Sequence, residues 1–421
     1  MRAALSGLAL LLALAPAPTQ AGPPVAPGLP QARGRTISVS SEPALRRAVR
    51  DLSSDTTILI RPGTYRLTDT LGVVGPLRNV SIRGATGNRN EVVLIGPGMT
   101  AGGGPAPSGI WSGGGVDGLT IADLTLREFP QHAIILNAGT RAARLYNLRL
   151  SDTGQQIVKS NPDAGGRGVD DGVVEYSIVE YTTTSPRSYT NGVDVLSGRR
   201  WTIRHNLFRN IRAPRGELAG PALLMWRGAA DTIVEGNTFA NCQRAIAFGL
   251  EPTTPYDHSG GVIRNNVIYR LPGETGDVGI IVSASPGTLV AHNSVLLSGT
   301  YHAAIEYRFA PTAAARIVNN LTDGPIVRRD GADATLAGNV TTATPDFFTD
   351  LIRSDMRLRR SAGAAIDRGV ALPDVIDDWS GRPRDARPDA GAHEWEAPRP
   401  SGGRVSYEGV SAVIRRPTRR D

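Results

Sequence analysis

Lys159 is the only lysine among 46 basic residues; every other one is arginine. Arginine stays protonated in essentially any protein environment, whereas lysine can lose its proton when desolvated or set near other cations. The one retained lysine could therefore supply a base; the competing explanation is a compositional drift to arginine that left one lysine behind. Other reactive side chains follow it in the chain. The loop 181–191 offers Arg187, Tyr189 and Asn191, and the loop 211–221 offers Arg212, Arg215 and Glu217. Asp194 and Trp226-Arg227 lie in or beside strand-like segments. Arginine suits neutralisation of a carboxylate, and Tyr, His or Arg can protonate a leaving oxygen. Trp226 could stack on a sugar ring or pack in the core. His258, with Glu251 and Asp257, could form an acid–base cluster in the loop 251–260. Asp163, Asp170 and Asp171 lie among glycines and could hold Ca2+ through oxygen ligands. No other cofactor is expected.

Residues that distant in sequence need a scaffold that aligns them, and a repeat supplies it. Strand-like segments recur with a polar residue at one place: Asn147, Asn206, Asn237, Asn266, Asn293, Asn320 and Asn339, with Asp123 and Ser177 read into the same position. From 123 the intervals are 24, 30, 29, 31, 29, 27, 27 and 19 residues. A second segment follows each first one, at 133–136, 156–159, 192–195, 222–225, 245–248, 279–282 and 304–307. Its apolar residues alternate, which is strand periodicity. Short strands in such repeats cannot bury a face alone, so they must stack as coils about 4.8 Å apart. Asn tolerates left-handed backbone angles and can bond the Asn of the next coil. The expected fold is therefore all-β, a parallel β-helix. Ser40 or Ser41 can start a helix over Ala44, Leu45, Ala48, Val49 and Leu52 that caps its N-terminal end.

Composition agrees. Aromatic content is 5%, with 49 Gly and 30 Pro, which favours many short strands joined by turns. Arg2, the short apolar run from Ala3 to Ala15 and Thr19-Gln20-Ala21 read as a secretory signal over residues 1–21. No later stretch is long and apolar enough to span a membrane, so a secreted or periplasmic protein is expected. Cys242 is the single cysteine, which excludes an internal disulfide and reads as a small buried side chain. The formal charge of +7 favours acidic partners outside the cell, namely uronate polymers, sulfated glycans or anionic surfaces, and nucleic acid is not expected. Several of those charges belong to a Pro-, Gly- and Arg-rich tail, 397–421, that reads as disordered. The protein is expected to be a monomer.

The segment IleLeuIleArgProGlyThrTyr (58–65), the Asn-centred coils and the closing segments AlaAlaIleAspArgGly (364–369) and ProAspAlaGlyAlaHisGlu (388–394) resemble the pectate-lyase-like superfamily. The resemblance covers roughly residues 36–396 and implies a right-handed parallel β-helix domain there. It is poor for activity, because a fold hosts many functions and this superfamily includes lyases, hydrolases, epimerases and non-catalytic proteins. ValLysSerAsn (158–161) looks like the Lys-Ser segment of the alginate lyase and chondroitinase B family, in which the Lys is the base. That family carries Arg-His in the corresponding strand of a following coil, where this chain has GlyValAspVal (192–195). Arg204-His205 does occur, but in the Asn-ladder strand.

The resemblance and the residues together imply a polysaccharide lyase acting on an acidic polysaccharide. Lys159, Arg187, Tyr189 and Arg215 form its expected catalytic set. Asn191, Asp194, Arg212, Glu217, Trp226, Arg227 and His258 form its expected substrate-binding set. A non-catalytic glycan-binding β-helix is the alternative, and a glycoside hydrolase or uronate epimerase a further one. Register decides Lys159. If Val158 stacks on Val193, Lys159 points outward beside Asp194; if Ile157 does, Lys159 turns toward the core, because a one-residue slip reverses every side chain.

Overall fold

The computed structural model describes residues 24–32, 34–102 and 104–396. The expected signal segment 1–21 and the basic tail 397–421 lie outside the described residues.

Each coil contributes one short strand to each of three parallel sheets, which we term I, II and III in the order the chain visits them. Sheet I has 13 strands, and sheets II and III have 10 each. The result is the expected right-handed parallel β-helix, the hand favoured for parallel crossovers. Alternate residues of each strand point inward, so one continuous core runs the length of the stack. Trp201, Phe208, Phe239 and Phe248 are fully buried, and the rings of Phe208 and Phe239 stack at 4.6 Å. Cys242 is buried too.

Sheets I and II meet at a tight corner, and the asparagine ladder sits there. Asn206, Asn237, Asn266, Asn293 and Asn320 each donate Nδ2 to the side-chain oxygen of the next asparagine at 2.9–3.0 Å, ending at Asn339. Ser177 belongs to the same row, since its backbone N–H donates to Asn206 Oδ1. Asp123 and Asn147 do not. Tyr146 stacks on Ala122 and Glu175, which puts Leu124 and Leu148 in the ladder row and Asp123 and Asn147 one place earlier. That earlier place bears the left-handed backbone, with φ of 59° at Asp123, 50° at Asn147, 55° at Tyr176 and His205, and 53° at Asn265. Asn and Asp suit that conformation as well as the ladder, so their recurrence marks two adjacent positions.

The N-terminal end is capped as expected by helix α1 (Glu42–Arg50), with Ser41 as N-cap accepting from the Ala44 N–H. Leu45, Ala48 and Val49 are buried on the stack, and Ala44 and Leu52 pack beside them. The two closing segments pair with one another, Ala390 N–H donating to Ala365 O and Gly369 N–H to Pro388 O. They pack on the outer side of sheet II rather than across its end. A side chain at Gly391 would meet Ser294 Oγ at 2.8 Å and Leu321 Cβ at 2.9 Å, so only glycine fits this close approach.

Candidate functional site on the outer face of sheet III

Sheet III contains every second segment of the repeat. Val158 stacks on Val193, which fixes the outward register: Lys159 pairs with Asp194, and Ile135 precedes them in the same row. Lys159 Nζ donates to Asp194 Oδ2 at 2.6 Å, and the Trp226 indole N–H donates to Asp194 Oδ1 at 2.8 Å. The Arg227 guanidinium lies 4.7 Å above the Trp226 ring. Lys159 is 8% and Asp194 2% exposed. Burial pushes the Asp194 carboxyl above its ordinary value, against the pull of the Lys159 ammonium and the two hydrogen bonds. One coil earlier lies His132, a residue the sequence reading did not single out. Its Nδ1 contacts Gln156 O at 2.7 Å, and burial lowers its pKa to about 4, with the nearby Lys159 charge acting in the same direction.

The loops leading into sheet III form one flank of this face. Asn191 is buried, and its Nδ2 donates to Pro221 O at 2.8 Å, joining the loops 181–191 and 211–221. It is therefore a brace rather than the exposed substrate ligand expected from sequence. Gln243 Oε1 accepts from the Ala213 and Ala219 N–H groups and holds the second loop. Arg212 is engaged by Glu274 at 3.1 Å. Arg187, Tyr189, Arg215 and Glu217 have exposed side chains, with Tyr189 at 60%. The fold thus gathers these loops on one flank and leaves four of the expected groups open to solvent.

One expectation is corrected, the acid–base cluster at His258. His258 is fully buried, not a loop group facing ligand. Its ring lies 4.0 Å from Phe248, its Nδ1 meets Ser285 Oγ at 2.9 Å, and burial lowers its pKa to about 3. Asp257 accepts from the backbone N–H groups of Arg227, Leu250 and Glu251, so it folds the loop instead of forming an acid–base pair. Asp163 accepts from the Gly165 and Arg167 N–H groups and from the Arg167 side chain, while Asp170 and Asp171 both pair with Arg200. These carboxylates are each paired with an arginine. Among the described residues no group of three or more His, Cys, Asp or Glu could hold a metal ion. Trp226, half-buried, has its N–H bonded to Asp194 and the Arg227 guanidinium over one side of its ring.

Arg204 pairs with Glu175 on sheet I and His205 stacks on Tyr176 at 5.2 Å, so this Arg-His pair faces away from Lys159. The sequence reading missed Glu306, which stands in the same outward row as Lys159 and Asp194. Its place beside Ile305 matches that of Lys159 beside Val158 and of Asp194 beside Val193, and that alignment was the available signal.

No family model matches the chain, and no curated protein matches it. Among solved structures the chain is similar to pectate lyase Pel9A, with 13% identity and a TM-score of 0.51 over 86% of this chain and 97% of that one. An alginate lyase from Paenibacillus sp. str. FPU-7 aligns with 17% identity and a TM-score of 0.48 over 73% of this chain and 99% of that one. At 13% identity the likeness to pectate lyase Pel9A is one of fold alone, and it agrees with the parallel β-helix read from the strand pairings.

Proposed function

We propose that this protein is exported and acts on an acidic polysaccharide laid along the outer face of sheet III, cleaving it by β-elimination at a uronate. The observation that carries this reading is the single lysine of the chain, turned outward on that face and held 2.6 Å from a buried carboxylate. An ammonium cannot accept a proton, so the pair must first exchange one. Burial raises the proton affinity of Asp194. Exclusion of water by a bound polymer favours the neutral pair, with the proton on Asp194 and a free amine on Lys159. That amine takes the proton from the sugar carbon bearing the carboxylate. The electron pair released forms a carbon–carbon double bond as the adjacent bond to the glycosidic oxygen breaks. Arg187 and Arg215 neutralise the uronate carboxylate, and the Tyr189 hydroxyl supplies the proton to the leaving oxygen. The fold shared with pectate lyase Pel9A, a protein named for this reaction class, supports the reading by analogy.

The same contact favours a second reading, a β-helix that holds the glycan without cleaving it, because Lys159 and Asp194 already satisfy one another. One assay separates the two. The purified protein is incubated with alginate, pectate and glycosaminoglycans while ultraviolet absorbance of a new unsaturated uronate is followed. Absorbance that disappears in Lys159→Met supports the lyase. Polymer retention without absorbance, unchanged in Lys159→Met, supports the binding protein. New reducing ends without absorbance would instead require hydrolysis.

A further inference from the structure

The outward row of Lys159 and Asp194 continues through Leu224, Ala247 and Ile281 to Glu306. Five rung spacings of about 4.8 Å set Lys159 and Glu306 about 24 Å apart on one face. Between them Leu224, Ala247 and Ile281 are buried together with Val278, and the partly exposed rings of Trp226 and Tyr301 pack against this patch.

Both rings are half-buried, each fixed by a hydrogen bond and met on one side by an exposed neighbouring group. Trp226 is engaged by Asp194 and has Arg227 over one side of its ring. Tyr301 pairs with the ring of His302, centroids 4.2 Å apart at 45°, and the His302 side chain is 63% exposed. The Tyr301 hydroxyl donates to Glu306 Oε1 at 3.2 Å, which fixes the ring. Glu306 is almost fully buried, and Arg329 balances its charge at 3.1 Å. The Arg329 side chain is 38% exposed at the margin. A rigid, partly open aromatic pair beside a guanidinium suits the apolar C–H face of a sugar and its carboxylate together.

We infer that Tyr301 and His302, with Arg329 at their edge, form a second polysaccharide subsite on the face that carries Lys159, so that the ligand is an acidic chain long enough to reach both. This rests on the reading that the outer face of sheet III binds an acidic polysaccharide, and it adds a demand on chain length.

The test measures dissociation constants by calorimetry for a size series, from disaccharide to long oligosaccharide, prepared from whichever of alginate, pectate or glycosaminoglycan the wild-type protein binds. Wild-type affinity should rise once the chain spans both stations. His302→Ala and Tyr301→Ala should each weaken the long chains by about tenfold and leave the disaccharide unchanged, the size expected for one ring contact. Tyr301→Phe keeps the ring and should retain most of the affinity. His302 is exposed, so its variant tests the subsite without disturbing the fold. Affinity independent of length in the wild type, or long-chain affinity unchanged in both alanine variants, overturns the subsite. If Lys159→Met weakens binding while the Tyr301 and His302 variants do not, the subsite fails and the polysaccharide reading stands. Failure of the wild type to bind any of these polymers overturns both.

Discussion

Removing one member of the Lys159–Asp194 pair leaves the other charged and nearly sealed, because the two are only 8% and 2% exposed. Loss of one partner from such a pair costs about 3–5 kcal/mol, and the lower end applies to Asp194→Asn because a lysine stem can carry its ammonium toward water. Asn keeps an acceptor for the Trp226 indole, so this change isolates the ion pair. Lys159→Met conserves shape and leaves a buried carboxylate, for which the full range is expected. The double variant Lys159→Met/Asp194→Asn removes both charges and should lose less than the sum of the singles by about 2–3 kcal/mol. Urea unfolding of the four proteins at neutral pH, followed by tryptophan fluorescence, measures this coupling. Losses that add to within about 0.5 kcal/mol would refute the pair and, with it, the proton exchange on which Lys159 depends as a base. The cycle also separates folding from chemistry: the double variant should fall short of the additive loss in stability while its ultraviolet absorbance with uronate polymers stays absent.

In the ladder, Asn266 accepts from the N–H and Nδ2 of Asn237 and donates to Asn293 Oδ1 and Val234 O. Asn266→Leu strands several buried groups at about 1–3 kcal/mol each, whereas Asn339→Leu at the partly exposed end should cost less than half as much in the same urea assay. Equal losses at the two positions would argue against a continuous ladder. Burial lowers the pKa of His132 and His393 to about 4 and of His258 and His292 to about 3. The unfolded chain therefore binds protons first as pH falls, so stability is fully present above about 6.5 and is lost between about 6.5 and 3. A urea midpoint that is flat between pH 8 and 7 and drops below 6.5 is expected. A midpoint unchanged down to pH 4 would show that these histidines are not held neutral.

Much of the architecture was legible because a coil repeats its chemistry. The Asn recurrence marked the corner, alternation in the second segments marked sheet III, and Ser41 with Leu45, Ala48 and Val49 marked the cap. The corner was blurred by one residue at Asp123 and Asn147, because the left-handed residue and the ladder residue are neighbours and accept the same amino acids. His258 was misread for a different reason. Its neighbours in sequence are loop residues, while the groups that enclose it, Phe248, Ser285 and Thr232, come from other coils. Asp163, Asp170 and Asp171 lie close along the chain, and only the structure pairs two of them with Arg200 from the next coil.

By itself the sequence determined that the chain stacks as parallel coils, since its repeats carry too little apolar surface to fold singly and share a core when stacked. It also singled out Lys159. Only the tertiary structure decided that Lys159 faces outward against Asp194, that Asn191 is a brace, and that Glu306 and Tyr301 share the same face. The reason is physical: strand side chains alternate with a period of two, so one residue of register separates core from surface. That register is set by packing between coils about 30 residues apart in the chain, beyond the reach of any local pattern.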